Sequence, residues 1–312
     1  MPTIRDRQIV DRWTSFYGEE SVGRIQHWNQ KGVADLIRVN TLKTTPEELV
    51  ESLGRKGTML TKTSLPEAWV VGSTKYTIGS THEYLRGDYA IQGLASQFVG
   101  HVLDPRPRQT VLDLAAAPGG KTSHISALMG NTGVVVAVDT SKKRLTALRS
   151  NLARLGVENT VAWHGSGEHL GPRFGSRTFD RVLLDAPCTG SGSICRTPNK
   201  PWLRTLEDVE RMVGRQKALL RSAVGVLRPG GLLVYSTCSL EPEEGEYQIR
   251  DLLEHHSHQV SLEQVGPLPE WRAETLGKVR GVVPEEVREK CLRILPDGTS
   301  EGFFVARLRR HD

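Results

Sequence analysis

The sequence predicts an α/β fold built on a mostly parallel, doubly wound sheet, and three observations predict it. From Val111 onward, short apolar runs alternate with amphipathic segments, the pattern of strands interleaved with helices. A glycine-rich turn, Pro118-Gly119-Gly120, follows the first run and opens a helical stretch. An acid, Asp139, ends the second run, where open α/β sheets present ligand-binding groups at the carboxyl ends of strands.

The strands fall at residues 111–114, 134–138, 161–164, 181–184 and 232–235. Helices are predicted over 121–129, 141–155 and 206–227, the last two with apolar residues three and four apart. A further helix runs from about Glu243 to His255, its start marked by Pro242 and a group of acids suited to the positive end of the helix dipole. Runs 292–295 and 302–308, joined by Pro296, Asp297 and Gly298, read as an antiparallel hairpin closing the sheet. Before residue 90 the pattern changes to helices at 5–17 and 20–30, an extended run at 36–40, a helix over 45–54 opened by Thr45-Pro46, and short extended pieces around Met59 and Trp69. This gives a small α+β domain over 1–90 and a larger domain over 91–312, with 92–103 as a linking helix.

Composition narrows the class. At 312 residues and 38% hydrophobic content the chain can bury an ordinary core. No apolar run approaches the roughly 18 residues of a membrane span, and the first ten residues lack a signal-peptide stretch, so a cytoplasmic protein is expected. The net charge of +5 is spread thinly, although 29 of the 41 basic residues are arginine, which suits phosphate contacts and base stacking. Four cysteines without a C-x-x-C pair argue against a disulfide framework and against zinc, and no metal is expected.

The segment Asp113 to Thr122 supplies the predicted ligand loop. Gly119 and Gly120 let backbone N–H groups approach a ligand, and the following helix dipole favours an anionic group. Asp139 stands where an acid can accept hydrogen bonds from both ribose hydroxyls. Gly120-Lys121-Thr122 imitates the end of a nucleotide-hydrolase P-loop, but that motif requires glycine where this chain has Ala115, and Pro118 interrupts the phosphate nest.

Two more strands end in reactive groups, in Asp185-Ala-Pro-Cys188-Thr-Gly-Ser-Gly192 and in Ser236-Thr-Cys238-Ser239. Adjacent strand ends share one rim of a parallel sheet, so Asp185, Cys188 and Cys238 are expected to converge. A single cysteine at a strand end is usually a small buried hydrophobe. Two of them in these contexts reverse that reading.

In these motifs the sequence resembles the NOL1/NOP2/Sun family of RNA cytosine-C5 methyltransferases. The similarity runs from about Arg38 to Arg309, through Ile37-Arg-Val-Asn-Thr-Leu42, residues 92–96, Pro118-Gly-Gly-Lys121, the two cysteine motifs and Gly302-Phe-Phe304. The resemblance implies a Rossmann-like class I methyltransferase domain, S-adenosyl-L-methionine as cofactor and RNA as partner. It implies a cofactor set of Ala115, Ala116, Ala117, Pro118, Gly119, Gly120, Lys121, Asp139, Arg144, Ser166 and Asp185. Cys238 would attack C6 of the cytosine, which turns C5 into a nucleophilic carbon, and Cys188 would assist proton removal and product release. Asp185 and Lys121 would hold the cytosine edge and stabilise developing charge, and Lys121 would favour the Cys238 thiolate. At Ser166 the chain departs from the family, which usually places an acid there to bind the adenine amino group; Glu168 is the possible substitute. Cys195 and Cys291 match nothing and are read as structural.

The compact length and the short interval from Asn40 to Gln92 resemble archaeal-type tRNA methyltransferases, so tRNA is the favoured substrate, with ribosomal RNA as the alternative. A different class of function is an RNA-binding assembly factor whose methylation is incidental. The N-terminal module, Arg38 and the arginines at 307, 309 and 310 are the candidate phosphate contacts, and Arg196 is read first as a solvated arginine and second as a phosphate contact. The target cytosine must leave its stack to meet a thiolate at its ring face. Trp163 and Phe179 are read as core residues before stacking platforms, and a monomer is expected.

Overall fold

The computed structural model describes residues 7–198, 202–266 and 283–311. It divides into two compact units, one of Met1–Val33, Glu168–Thr178 and Leu184–Asp312, the other of Ala34–Gly167 and Phe179–Leu183. The segment before residue 90 is therefore shared between them.

The first unit begins with α1 (Arg7–Tyr17) and α2 (Glu19–Lys31). Ile9, Trp13 and Tyr17 recur every fourth residue and bury one face of α1. Trp13 Nε1 donates to Glu241 Oε1 at 2.7 Å and the Tyr17 hydroxyl donates to the Leu240 carbonyl. Helix α1 thus braces the chain just beyond Cys238.

The second unit holds a small antiparallel sheet of β1 (Leu36–Val39), β2 (Leu60–Lys62), β3 (Ala68–Val71) and β4 (Tyr89–Ile91), in the order β2-β3-β1-β4. Helix α3 (Pro46–Arg55) opens with a capping box between Thr45 and Glu48, and its Leu49 and Leu53 pack with Ile37, Val39 and Tyr89. Helices α4 (His82–Arg86) and α5 (Leu94–Leu103) follow. The unit then alternates β5 (Thr110–Leu114), α6 (Gly120–Leu128), β6 (Val134–Asp139), α7 (Lys142–Arg154) and β7 (Thr160–His164). Strands β5, β6 and β7 are parallel, with Leu112 beside Val136 and Val136 beside Val161. The first five residues of β8 (Phe179–Asp185) flank β5, giving the order β8-β5-β6-β7. Near-continuous apolar runs such as Val134 to Val138 suit strands covered on both faces.

The remainder of the first unit comprises α8 (Gly171–Phe174), α9 (Leu206–Val226), β9 (Leu227–Thr237), α10 (Glu246–His256), β10 (Val260–Glu263), α11 (Glu285–Lys290), β11 (Leu292–Ile294) and β12 (Phe303–Arg310). Thr205 and Asp208 close a capping box on α9. Strand β12 runs antiparallel to β9 from Phe304 opposite Thr237 to Arg309 opposite Leu232. The other edge of β12 takes β11 and then β10.

The α/β class, the parallel strands and the antiparallel C-terminal hairpin are as the sequence predicts. Two details differ. Strand β10 extends the sheet beyond the hairpin, from a four-residue run too short to stand out. Helix α10 starts at Glu246 because Pro242–Glu244 form a separate 3₁₀ turn. That turn carries Glu244 inward, so the acid is buried instead of facing the dipole. Among the described residues no helix is long and apolar enough to cross a membrane.

Candidate active site

The predicted cofactor loop lies in the second unit. After β5, Ala115 adopts φ 60° and Gly119 φ 101°, and the Ala117-Pro118 bond is cis. Gly119 packs within van der Waals reach of Leu148 on α7, where a Cβ would lie 3.4 Å from Leu148 Cγ. The amide of Ala116 donates to the Val138 carbonyl at 2.9 Å. Asp139, buried at the end of β6, accepts the Ala117 amide at 3.3 Å and the Ser141 amide at 2.9 Å. Arg144 pairs with Asp139 at 3.2 Å and also donates to the Ala117 carbonyl. Asn151 donates to the Pro118 carbonyl at 3.0 Å. Helix α7 thus fastens the loop against β6, so Ala115 to Gly120, Asp139 and Arg144 form one local assembly.

Helix α6 begins at Gly119 with no side-chain cap, whereas α3, α7 and α9 are capped by Thr45, Ser141 and Thr205. An uncapped N-terminus beside a buried acid suits a ligand with a carboxylate at one end and a ribose further along. Lys121, half-buried, sits in the first turn of α6. Thr122, the hydroxyl of the P-loop imitation, instead donates to Asp113 at 2.6 Å in the core. Ser166 is exposed in the turn after β7, and Glu168 pairs with Arg215 at 3.5 Å.

Arg38 corrects an expectation. It is 1% exposed and donates to the Gly120 carbonyl at 2.7 Å, to Ser123 Oγ at 2.9 Å and to the Gln92 side chain. It therefore braces the glycine loop from behind and cannot meet a phosphate. Burial pulls its pKa down to about 9. Nearby, Glu67 Oε1 lies 2.6 Å from His101 Nε2 and 2.7 Å from His124 Nε2. Among the described residues this is the only group with metal-ligand geometry. The oxygen already meets both imidazoles at hydrogen-bond distances, and the set reads as a polar knot joining α5 to α6.

The predicted reactive groups lie in the first unit. The Sγ atoms of Cys188 and Cys238 are 3.4 Å apart. The contact with Cys238, burial and the charges of Glu244 and Asp185 push the Cys188 thiol well above its ordinary value. These effects favour the protonated form of Cys188, and either sulfur can be the donor across the pair. Asp185 Oδ1 accepts from Ser236 Oγ at 2.8 Å, and the Ala186 amide donates to the Ser236 carbonyl at 2.8 Å. The two cysteine loops are thus aligned through residues just before each thiol.

Sequence reasoning missed Glu244, which is fully buried. It accepts from the Thr189 amide at 3.0 Å, from Gln216 Nε2 at 3.0 Å, and from the hydroxyls of Thr189 and Ser239. Burial raises its pKa against the lowering effect of those bonds. The one available signal, an acid five residues after Ser239, is indistinguishable from a solvated helix start. Gly192 donates to the Cys238 carbonyl at 2.9 Å and accepts from the Gly302 amide at 2.9 Å. A Cβ on Gly302 would stand 2.9 Å from Gly192 Cα, so the two glycines require each other.

Other candidate phosphate contacts are engaged internally. Arg196 pairs with Glu301, Arg307 and Arg309 with Glu263, and Arg310 donates to the Leu227 carbonyl at 2.9 Å. Phe179 and Cys195 are buried, and Trp163 and Cys291 are half-buried.

A family model described as 16S rRNA methyltransferase RsmB/F matches residues 100–309. The probable ribosomal RNA small subunit methyltransferase B of Bacillus subtilis is 34% identical over 313 residues, covering 99% of this chain and 67% of that one. The human 28S rRNA (cytosine(4447)-C(5))-methyltransferase is 41% identical over 223 residues, covering 68% of this chain and 27% of that one. The chain thus spans about two thirds or less of these curated relatives. Among solved structures, a methyltransferase homolog from Pyrococcus horikoshii superposes with a TM-score of 0.84 at 39% identity, over 97% of this chain and 95% of that one. NSun6 from the same organism, solved with SFG, gives 0.85 at 25% identity over 98% of both chains. The likeness to the NOL1/NOP2/Sun proteins stands beside these matches. With its glycine loop, buried Asp139 and paired thiols inside the matched span, the chain belongs to the 16S rRNA methyltransferase RsmB/F family.

Proposed function

We propose that the chain is an S-adenosyl-L-methionine-dependent RNA cytosine-C5 methyltransferase with Cys238 as its covalent nucleophile. The observation that carries this reading is the sulfur pair. Two thiols 3.4 Å apart, one held protonated, form a nucleophile and a proton-bearing partner. Cys238 Sγ adds to C6 of cytosine, and the ring electrons shift so that C5 becomes the attacking carbon. Asp185, oriented by Ser236, holds the cytosine edge while charge develops. Loss of the C5 proton to a base then lets Sγ leave C6 and restores the ring; Cys188 takes that proton only after passing its own to solvent.

The cofactor supplies an electrophilic methyl group when bound. The residues that would hold it are Ala115 to Lys121, Asp139 and Arg144, with Ser166 toward the adenine. Their fit rests on the uncapped start of α6 and on the buried Asp139 carboxylate. NSun6, similar along its whole length, was solved with SFG, which supports the same assignment. Residues 1–90 are proposed to contribute to RNA binding.

The relatives known as ribosomal RNA methyltransferases favour ribosomal RNA as substrate, against the sequence expectation of tRNA. The purified chain, labelled cofactor and unmodified transcripts of both RNA classes test the proposal. Digestion and mass spectrometry should find 5-methylcytosine in ribosomal RNA; its appearance in tRNA alone would reverse the substrate choice. Its absence from both would overturn the function.

A further inference from the structure

Both cysteines are flanked on each side by groups that converge on Glu244. Its carboxylate takes Thr189, which follows Cys188, and Ser239, which follows Cys238. Gln216 on α9 donates to that carboxylate at 3.0 Å and to the Pro187 carbonyl, just before Cys188, at 2.9 Å. The backbone carbonyl of Glu244 accepts from the hydroxyl of Thr237, just before Cys238, at 3.3 Å, and from the Tyr235 hydroxyl at 2.7 Å. Thr189 is 5% exposed, while Gln216, Thr237, Ser239 and Glu244 are fully buried. In such a dry network each bond is costly to lose, because no water replaces it. The carboxylate also stays there against a burial cost that a neutral side chain would avoid.

We propose that Glu244 is a positioning residue that fixes the separation of the two sulfurs and thereby determines that Cys238 ionises before Cys188. The proposal rests on the reading of Cys238 as nucleophile. At 3.4 Å the Cys188 thiol can donate to the Cys238 sulfur and stabilise its thiolate. A hydrogen bond weakens steeply with separation. Loosening either loop therefore leaves Cys238 with less support for its charge, while Cys188 loses the neighbour that suppresses its own ionisation. Glu244 acts through the residues on either side of the two sulfurs, in addition to the direct effect of its charge on Cys188.

Site-resolved alkylation with iodoacetamide, followed by mass spectrometry from about pH 6 to about pH 10, reads the two thiols without RNA or cofactor. In the unsubstituted protein Cys238 should react at lower pH than Cys188; overlapping profiles would overturn the proposal. Glu244→Gln keeps the shape but replaces one accepting oxygen with a donor facing other donors. Alkylation of Cys238 near neutral pH should then slow by about tenfold, with the two profiles moving together. In methylation assays kcat should fall while KM for RNA stays unchanged. A folded Glu244→Gln protein with unaltered profiles would overturn the proposal. Should that protein fail to fold, Thr189→Val and Ser239→Ala each remove one arm of the clamp, and unaltered profiles in both would be equally decisive. Absence of methylation by the unsubstituted protein would overturn the proposed reaction but leave the alkylation profiles to judge the clamp.

Discussion

The Cys188 thiol stands 3.4 Å from the Cys238 sulfur and is held protonated by that contact and by burial. Unequal thiols imply unequal variants. Cys238→Ala should abolish both methylation and the covalent protein-RNA species. Cys188→Ala should retain bond formation but release product slowly, so a cross-linked species accumulates on denaturing gels. The opposite assignment of phenotypes would exchange the two roles.

Asp139 organises the cofactor loop through the Ala117 and Ser141 amides. Asp139→Ala should weaken S-adenosylmethionine binding by at least about tenfold in calorimetry, from lost ribose contacts and a loosened loop. Arg144 is more than half exposed, and its ion pair contributes about 1 kcal/mol or less. Arg144→Ala should therefore cost only a few-fold. Equal losses from the two substitutions would mean that Arg144 contributes as much to ligand binding as the buried acid.

The polar knot of Glu67, His101 and His124 gives the fold a pH dependence. Burial first, then the Arg38 charge, pull His124 from an ordinary 6.5 to about 4. The unfolded chain therefore binds more protons between those values, and stability falls as pH drops through that window. The loss should reach about 3 kcal/mol. Glu67, held well below the usual carboxylate range by the two imidazoles against its own burial cost, extends the loss to lower pH. Urea midpoints should decline from about pH 6.5 to about pH 4. His124→Gln should flatten that decline, and parallel curves for the two proteins would remove the knot as its source.

Arg38, buried behind Gly120, should behave as a structural cation. Arg38→Lys should destabilise the protein by about 3 kcal/mol, because one ammonium cannot serve three separated acceptors. The salt dependence of RNA binding should keep its slope. A reduced slope would return Arg38 to the RNA surface.

What the sequence made legible was what is local in it. Strand periodicity, the turn at Gly119 and the two cysteine strings each occupy a few consecutive residues, so Asp185, Cys188, Cys238 and Asp139 could be named without coordinates. Glu244 and Arg38 were misread for one shared reason. A charged residue looks solvated in sequence, and burial of a charge is decided by distant partners, here Thr189, Gln216 and Ser239 for the acid and Gln92, Gly120 and Ser123 for the base. The pairing of Arg307 and Arg309 was hidden similarly, since their acid partner Glu263 lies on β10, a strand the pattern did not reveal.

The mutual fit of Gly192 and Gly302 has a consequence for synthesis. The turn that holds the Cys238 carbonyl is itself held by the amide of Gly302. During translation both cysteines leave the ribosome well before that glycine. The nascent thiols accordingly wait in an incomplete setting, and Cys238 acquires its final surroundings only when β12 pairs with β9.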